Sequence, residues 1–134
     1  TAVFGQPEVK LGVIPGFGGT QRLARRVGRQ RALELMFTGR NVKAEEAVTL
    51  GIALEVVEEG DVLDAAVALA GKISRNGPAA VRWVKTVVHE TEGRDANAGM
   101  AAERAHFALC FATNDQKEGM AAFVEKRKAE FTGT

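Results

Sequence analysis

From residue 61 to the end, apolar residues recur every three or four positions, a period that belongs to helices. Val62, Ala66, Leu69 and Ile73 trace one face over 61–75. The stretch Asn76-Gly77-Pro78 stops and restarts the chain, with Pro78 suited to a first helical turn. Val81, Val84 and Val88 share a face over 78–91. After a break containing Gly93, Met100, Phe107 and Phe111 mark a helix over 97–112. A last helix is expected from Asp115, with Glu118 three residues on as a capping-box-like pair in which Asp replaces the usual Ser or Thr. It would carry Met120, Phe123, Val124 and Phe131. Four amphipathic helices with short loops imply a helical layer or bundle whose apolar stripes need partners.

The first sixty residues read differently. A short strand near 2–5 precedes a glycine-rich stretch, and a helix then runs from near Thr20 to Val27, broken by Gly28. A second helix over 29–38 ends at Gly39, placed as a C′ residue. A third, AEEAVTL, is stopped by Gly51, and IALEVVE, with β-branched residues at 52, 56 and 57, reads as a second strand. The chain is therefore expected to be mostly α with a small β part, divided into a strand-bearing piece, 1–60, and an all-helical piece, 61–134. The opening TAVFG reads as a strand already under way, and later segments supply too few partners for it; a longer parent, of which this is the back half, is the expectation.

Composition narrows the function classes. Of 134 residues, 46% are hydrophobic and 26% charged, which argues against disorder, and a net charge of +1 makes no general case for nucleic acid. No apolar run approaches the roughly 18 residues of a membrane span, and no secretory leader pattern is present. Cys110 is the only cysteine, so neither an internal disulfide nor a thiol metal site is expected, and a reducing compartment is. Charge is unevenly spread: residues 1–31 hold six bases against the single acid Glu8, and residues 44–64 hold seven acids and no base. These are two solvated faces or, for the basic run, a positive rim for a phosphorylated ligand.

The chemistry-bearing candidate is Glu8, which follows Pro7 and precedes Val9, Leu11, Val13 and Ile14. Enclosed by those side chains, a carboxyl would be desolvated toward its protonated form and could act as a general acid; the plainer reading is an exposed loop glutamate. The adjoining PGFGGT resembles a phosphate cradle at a helix N-terminus but lacks the spacing of a P-loop or a dinucleotide fingerprint. His89 and His106 have no ligand-spaced partners and are not metal ligands on this reading. Phe107, Phe111 and Phe123 read as core, and Lys126, Arg127 and Lys128 as complements to a helix dipole.

Taken together, FGQPEVKLGVIPGFGGTQRLARRVG, ALELMFTGR, AEEAVTLGI, NGPAAV and FATNDQKEGMAAFVEKRKAEF resemble the enoyl-CoA hydratase/isomerase (crotonase) superfamily, and its hydratases in particular. The resemblance runs through essentially the whole chain, in order. It implies the C-terminal portion of the crotonase α/β spiral plus its helical trimerisation region. It further implies addition of water across the 2,3-double bond of a 2-enoyl thioester of coenzyme A. Glu8 matches one of two catalytic glutamates, the one usually assigned proton delivery to C2. Gly16 matches a glycine whose N–H helps to hold the catalytic water or carboxylate. Phe123 and Lys126 match coenzyme A contacts, often made in a neighbouring subunit's site, and Phe107 a residue near that pocket. Trimers, or two stacked trimers, are implied, with coenzyme A entering as part of the substrate, no separate cofactor and no metal. The compartment implied is a bacterial cytoplasm or mitochondrial matrix.

The other catalytic glutamate of the family, both oxyanion-hole amides and the first-half coenzyme-binding loops belong to sequence upstream of FGQPE, so this chain alone is expected to be inactive. Lys43 stands where the family often has an Asp or Ser helix cap, and Leu54 where Asn is frequent. Two other readings stay open: an enoyl-CoA isomerase of the same superfamily, and a non-catalytic helical assembly module.

Overall fold

Val3 and Phe4 (β1, Val3–Phe4) pair antiparallel with Lys43 and Val42 (β2, Val42–Lys43), in the register Val3 to Lys43 and Phe4 to Val42. This two-stranded ladder ties the start of the chain to a segment nearly forty residues later. The computed structural model covers residues 1–134 and contains two units, Thr1–Leu63 and Asp64–Thr134.

In the first unit, a 3-10 turn over Glu8–Leu11 follows β1 and is closed by Gly12 in the left-handed conformation. Helix α1 (Gly19–Val27) and helix α2 (Arg29–Thr38) are separated by Gly28, whose φ of 80° and ψ of 156° suit glycine. Gly39 ends α2 in the left-handed conformation (φ 57°), its N–H donating to the Leu35 carbonyl, as the C′ assignment requires. Helix α3 (Ala44–Thr49) is capped by Lys43 without a side-chain bond, and Glu45 and Glu46 in its first turn complement its dipole instead. The core is Leu35, Val42 and Ala47, with Leu23, Leu50, Ile52 and Ala53 packed against it.

One expectation fails here. Residues 52–58 are not a strand. The amides of Ile52 and Ala53 both donate to the Ala47 carbonyl, at 2.8 and 3.2 Å, wrapping the chain around the end of α3. Donors spent on a helix terminus cannot enter a ladder. The partner of β1 is the two-residue β2 instead.

Arg40 fastens this unit. Its guanidinium meets the Glu34 carboxylate of α2 at 2.6 and 3.1 Å and the Glu46 carboxylate of α3 at 2.7 and 3.0 Å. Hydrogen bonds from Arg40 hold both carboxyls below their usual range and stabilise the guanidinium's own charge.

The second unit is helical. Helix α4 (Val62–Ile73) opens at the boundary, and α5 (Pro78–Thr91), α6 (Ala96–Cys110) and α7 (Asn114–Glu125) follow. Asp95 caps α6, accepting from the amides of Asn97 and Ala98 at 2.9 and 3.1 Å. The start of α7 differs from the capping box expected at Asp115. Thr113 is the cap, accepting from the Gln116 amide at 3.1 Å. Asp115 turns to the C-terminal segment, and Glu118 binds Arg127 and the Glu130 amide. Phe131 lies beyond α7, where its ring covers Gly119; a Cβ there would stand 3.3 Å from the ring. Phe107 and Phe111 meet edge to face, centroids 5.3 Å apart. They are not core, however, being 65% and 54% exposed, and Phe123 is 81% exposed.

Candidate functional site

Glu8 is the first residue of the 3-10 turn, directly after Pro7, whose fixed φ sets how the carboxylate leaves β1. It is half-buried, yet three of the four apolar residues expected to enclose it do not. Leu11, Val13 and Ile14 are 81%, 57% and 78% exposed, because the turn and its Gly12 cap direct them outward. Glu8 instead lines a cleft of about 420 Å³ with Gln6, Gly16, Phe17, Arg22, Arg26 and neighbouring residues. Within the chain, Glu8 Oε2 is buried and has no hydrogen-bond partner, and the same holds for Gln6 Oε1. An unpaired buried acceptor costs on the order of 1–3 kcal/mol, so two in one segment mark it as specialised.

Gly16 lines the same cleft, so the structure brings these two residues together. Its φ is not positive, and a Cβ built on it would meet nothing within 4 Å. Nothing inside this chain requires glycine there. Gly19 differs: a Cβ would run into the Gln6 amide, 2.6 Å from Nε2, so this glycine lets Gln6 lie against the start of α1.

Sequence reasoning missed two cleft residues, Gln6 and Phe17, and placed Arg22 and Arg26 only within the basic run. Gln6 carries no signal in the sequence beyond the glycine it needs at position 19. Phe17 adopts the left-handed conformation (φ 50°), uncommon for a bulky residue, and its ring is 99% exposed. The Arg22 guanidinium donates to the Phe17 carbonyl and steadies that turn. Arg22 and Arg26 bring cationic charge from the basic run to the rim of the acid's cleft.

The other expected site residues lie in the second unit. Phe107 is on α6 and Phe123 on α7, both with exposed rings. Lys126 is the left-handed C-cap of α7 (φ 57°). Its neighbour Arg127 is committed to Glu118 and Glu125, each at 2.6 Å, whereas exposed Lys126 makes no ion pair. No three His, Cys, Asp or Glu side chains converge as metal ligands would, and no helix is long and apolar enough to cross a membrane.

The family model for enoyl-CoA hydratase/isomerase matches residues 1–134. The chain belongs to that family. Among relatives of this hydratase/isomerase chain, a short-chain-enoyl-CoA hydratase of Clostridium acetobutylicum is 47% identical over 129 residues, 96% of this chain and 49% of the relative. A crotonyl-CoA hydratase of Syntrophomonas wolfei is 48% identical over 130 residues, 97% of this chain and 50% of the relative. A crystal structure of an enoyl-CoA hydratase from Bacillus anthracis superposes with a TM-score of 0.94 at 39% identity, covering 100% of this chain and 52% of that one. The chain thus spans about half the length of the curated relatives it matches and aligns with their C-terminal half. Its fold is that part of the crotonase fold, mostly helical with one small sheet.

Proposed function

We propose that this chain is the C-terminal half of an enoyl-CoA hydratase that adds water across the 2,3-double bond of 2-enoyl-CoA thioesters, as in fatty-acid β-oxidation, with Glu8 as one of two catalytic acids. The observation that carries the reading is that Glu8 lines a cleft with Gly16 while its Oε2 is buried and has no partner within the chain. An oxygen in that state is ready to bind a water or pass a proton, and its lack of internal partners leaves it free to do so. The names of the two relatives above support the substrate class.

In this reading Glu8 delivers a proton to C2, and the Gly16 N–H helps to hold the water or carboxylate. An upstream glutamate activates the water, and upstream amides hold the thioester oxygen as charge develops on it. Phe107, Phe123 and Lys126 contact the coenzyme, Lys126 as a free cation toward phosphate. Residues 61–134 build a trimer or a dimer of trimers. A bacterial cytoplasm or a mitochondrial matrix is the setting, and one relative is named mitochondrial.

The test is Glu8→Gln in the full-length protein, assayed on 2-enoyl and 3-enoyl thioesters. Hydration of the 2-enoyl substrate should fall by about 10²–10⁴-fold. Unchanged hydration would reject the role of Glu8, and turnover of the 3-enoyl substrate alone would make the protein an isomerase. The present chain by itself should show no turnover.

A further inference from the structure

Gly39 lies more than thirty residues from Glu8 in sequence, yet the turn that carries the acid rests on it. A Cβ at Gly39 would stand 3.3 Å from Pro7 Cα and 3.0 and 3.4 Å from Cε and Cγ of Lys10. The Lys10 stem is flexible and can move aside. The Pro7 Cα is backbone, one peptide bond from Glu8, and must itself be displaced. Gly39 is buried, held left-handed at φ 57° with its N–H fixed to the Leu35 carbonyl at 2.9 Å. Its neighbours fix it further. Arg40 is clamped to Glu34 and Glu46, and Asn41 packs so closely on Gly5 that a Cβ there would meet its Oδ1 at 3.0 Å. Residues 39–41 form a closely packed floor beneath residues 5–10.

We infer that Gly39 is a positioning residue for the Glu8 carboxylate: it sets the height of Pro7, and through Pro7 the distance at which Glu8 reaches its proton acceptor. This inference rests on the catalytic role proposed for Glu8. General acid catalysis works within a narrow span of heavy-atom distances, and a shift of about 1 Å can cost about 10²-fold in rate. A few tenths of an ångström at Pro7 therefore translate into a loss in turnover rather than in substrate binding.

The experiment compares three variants of the full-length protein. Gly39→Ala adds the Cβ and the strain of a left-handed alanine. Gly39→Asn adds the same Cβ with a residue that tolerates this conformation. Gly51→Ala adds comparable strain at φ +75° where a Cβ meets nothing within 4 Å. Both Gly39 variants should lower kcat about ten-fold while KM stays within about two-fold. Gly51→Ala should leave both constants within about two-fold, and the thermal midpoint of Gly39→Asn should lie above that of Gly39→Ala. Independently of activity, the Glu8 amide resonance should shift in both Gly39 variants and not in Gly51→Ala. Retained kcat in Gly39→Asn, or an equal loss in Gly51→Ala, would overturn the inference. Unchanged hydration in Glu8→Gln, with the Glu8 resonance still moved by Gly39→Ala, would instead remove the catalytic role and leave the positional coupling standing.

Discussion

Asp115 and Thr132 are joined by a 2.7 Å hydrogen bond from the Thr132 amide to the Asp115 carboxylate, and the Gly133 amide donates to the other carboxylate oxygen at 2.9 Å. Asp115 is only 5% exposed, so its carboxylate depends on these two amides for partners. The Thr134 carbonyl completes the clasp by accepting from the amides of Asn114 and Asp115. Asp115→Ala removes the Thr132 and Gly133 bonds and should lower stability by about 2 kcal/mol in urea unfolding. Asp115→Asn keeps one acceptor and should lose less.

A few residues along, Glu118 gives the same segment a dependence on acid. Bonds from Arg127, and then from the Glu130 amide, hold its carboxyl down from 4.5 to about 2. A carboxyl lowered in the folded state stabilises the fold fully above its unfolded value. That contribution fades as pH falls below 4.5 and is gone once pH passes about 2. Glu118→Gln should therefore have a lower thermal midpoint at pH 7, with the gap to the parent closing between pH 4.5 and 2. Glu34 and Glu46 are also lowered, by Arg40, so the Glu118→Gln variant keeps some acid sensitivity from the first unit.

The Arg40 clamp makes a geometric prediction. A lysine retains the charge but cannot present a planar fork to two carboxylates at once. Arg40→Lys should lower the melting temperature by several degrees, and Arg40→Met should lower it further. A lysine variant that melts with the parent would mean that charge alone suffices.

Phe123 and Lys126 predict a separation of binding from folding. Both are exposed, so removing either should change stability by less than about 0.5 kcal/mol. In the full-length protein, Phe123→Ala and Lys126→Ala should each raise KM for an enoyl-CoA about ten-fold, with kcat retained. Steady-state kinetics on the coenzyme A thioester, set beside a truncated pantetheine thioester, would show whether the loss belongs to the nucleotide end.

Local signals proved legible. The stop at Gly39, the restart at Pro78 and the helices on either side were readable because each is set by neighbours three or four residues away. What escaped the sequence was decided at longer range. The β-branched run from Ile52 looked like a strand, but its first amides serve the end of α3. Asp115 looked like a cap, but residues 132 and 133 claim its carboxylate and leave capping to Thr113. At the site, Glu8 and Gly16 were marked by their motif, whereas the roles of Gln6, Arg22 and Gly39 depend on contacts no periodicity contains. The phenylalanines read as core by composition are exposed, since apolar character alone does not say what a side chain will meet.

No residue of α4, α5 or α6 is fully buried, and Val62, Leu63 and Val67 of α4 are 65%, 72% and 61% exposed. Any contact that covers such faces adds to the folded state by mass action. If copies of this chain are what covers them, dilution works against the native state as a weak denaturant would. Its melting temperature then becomes a property of the solution's concentration as much as of the sequence.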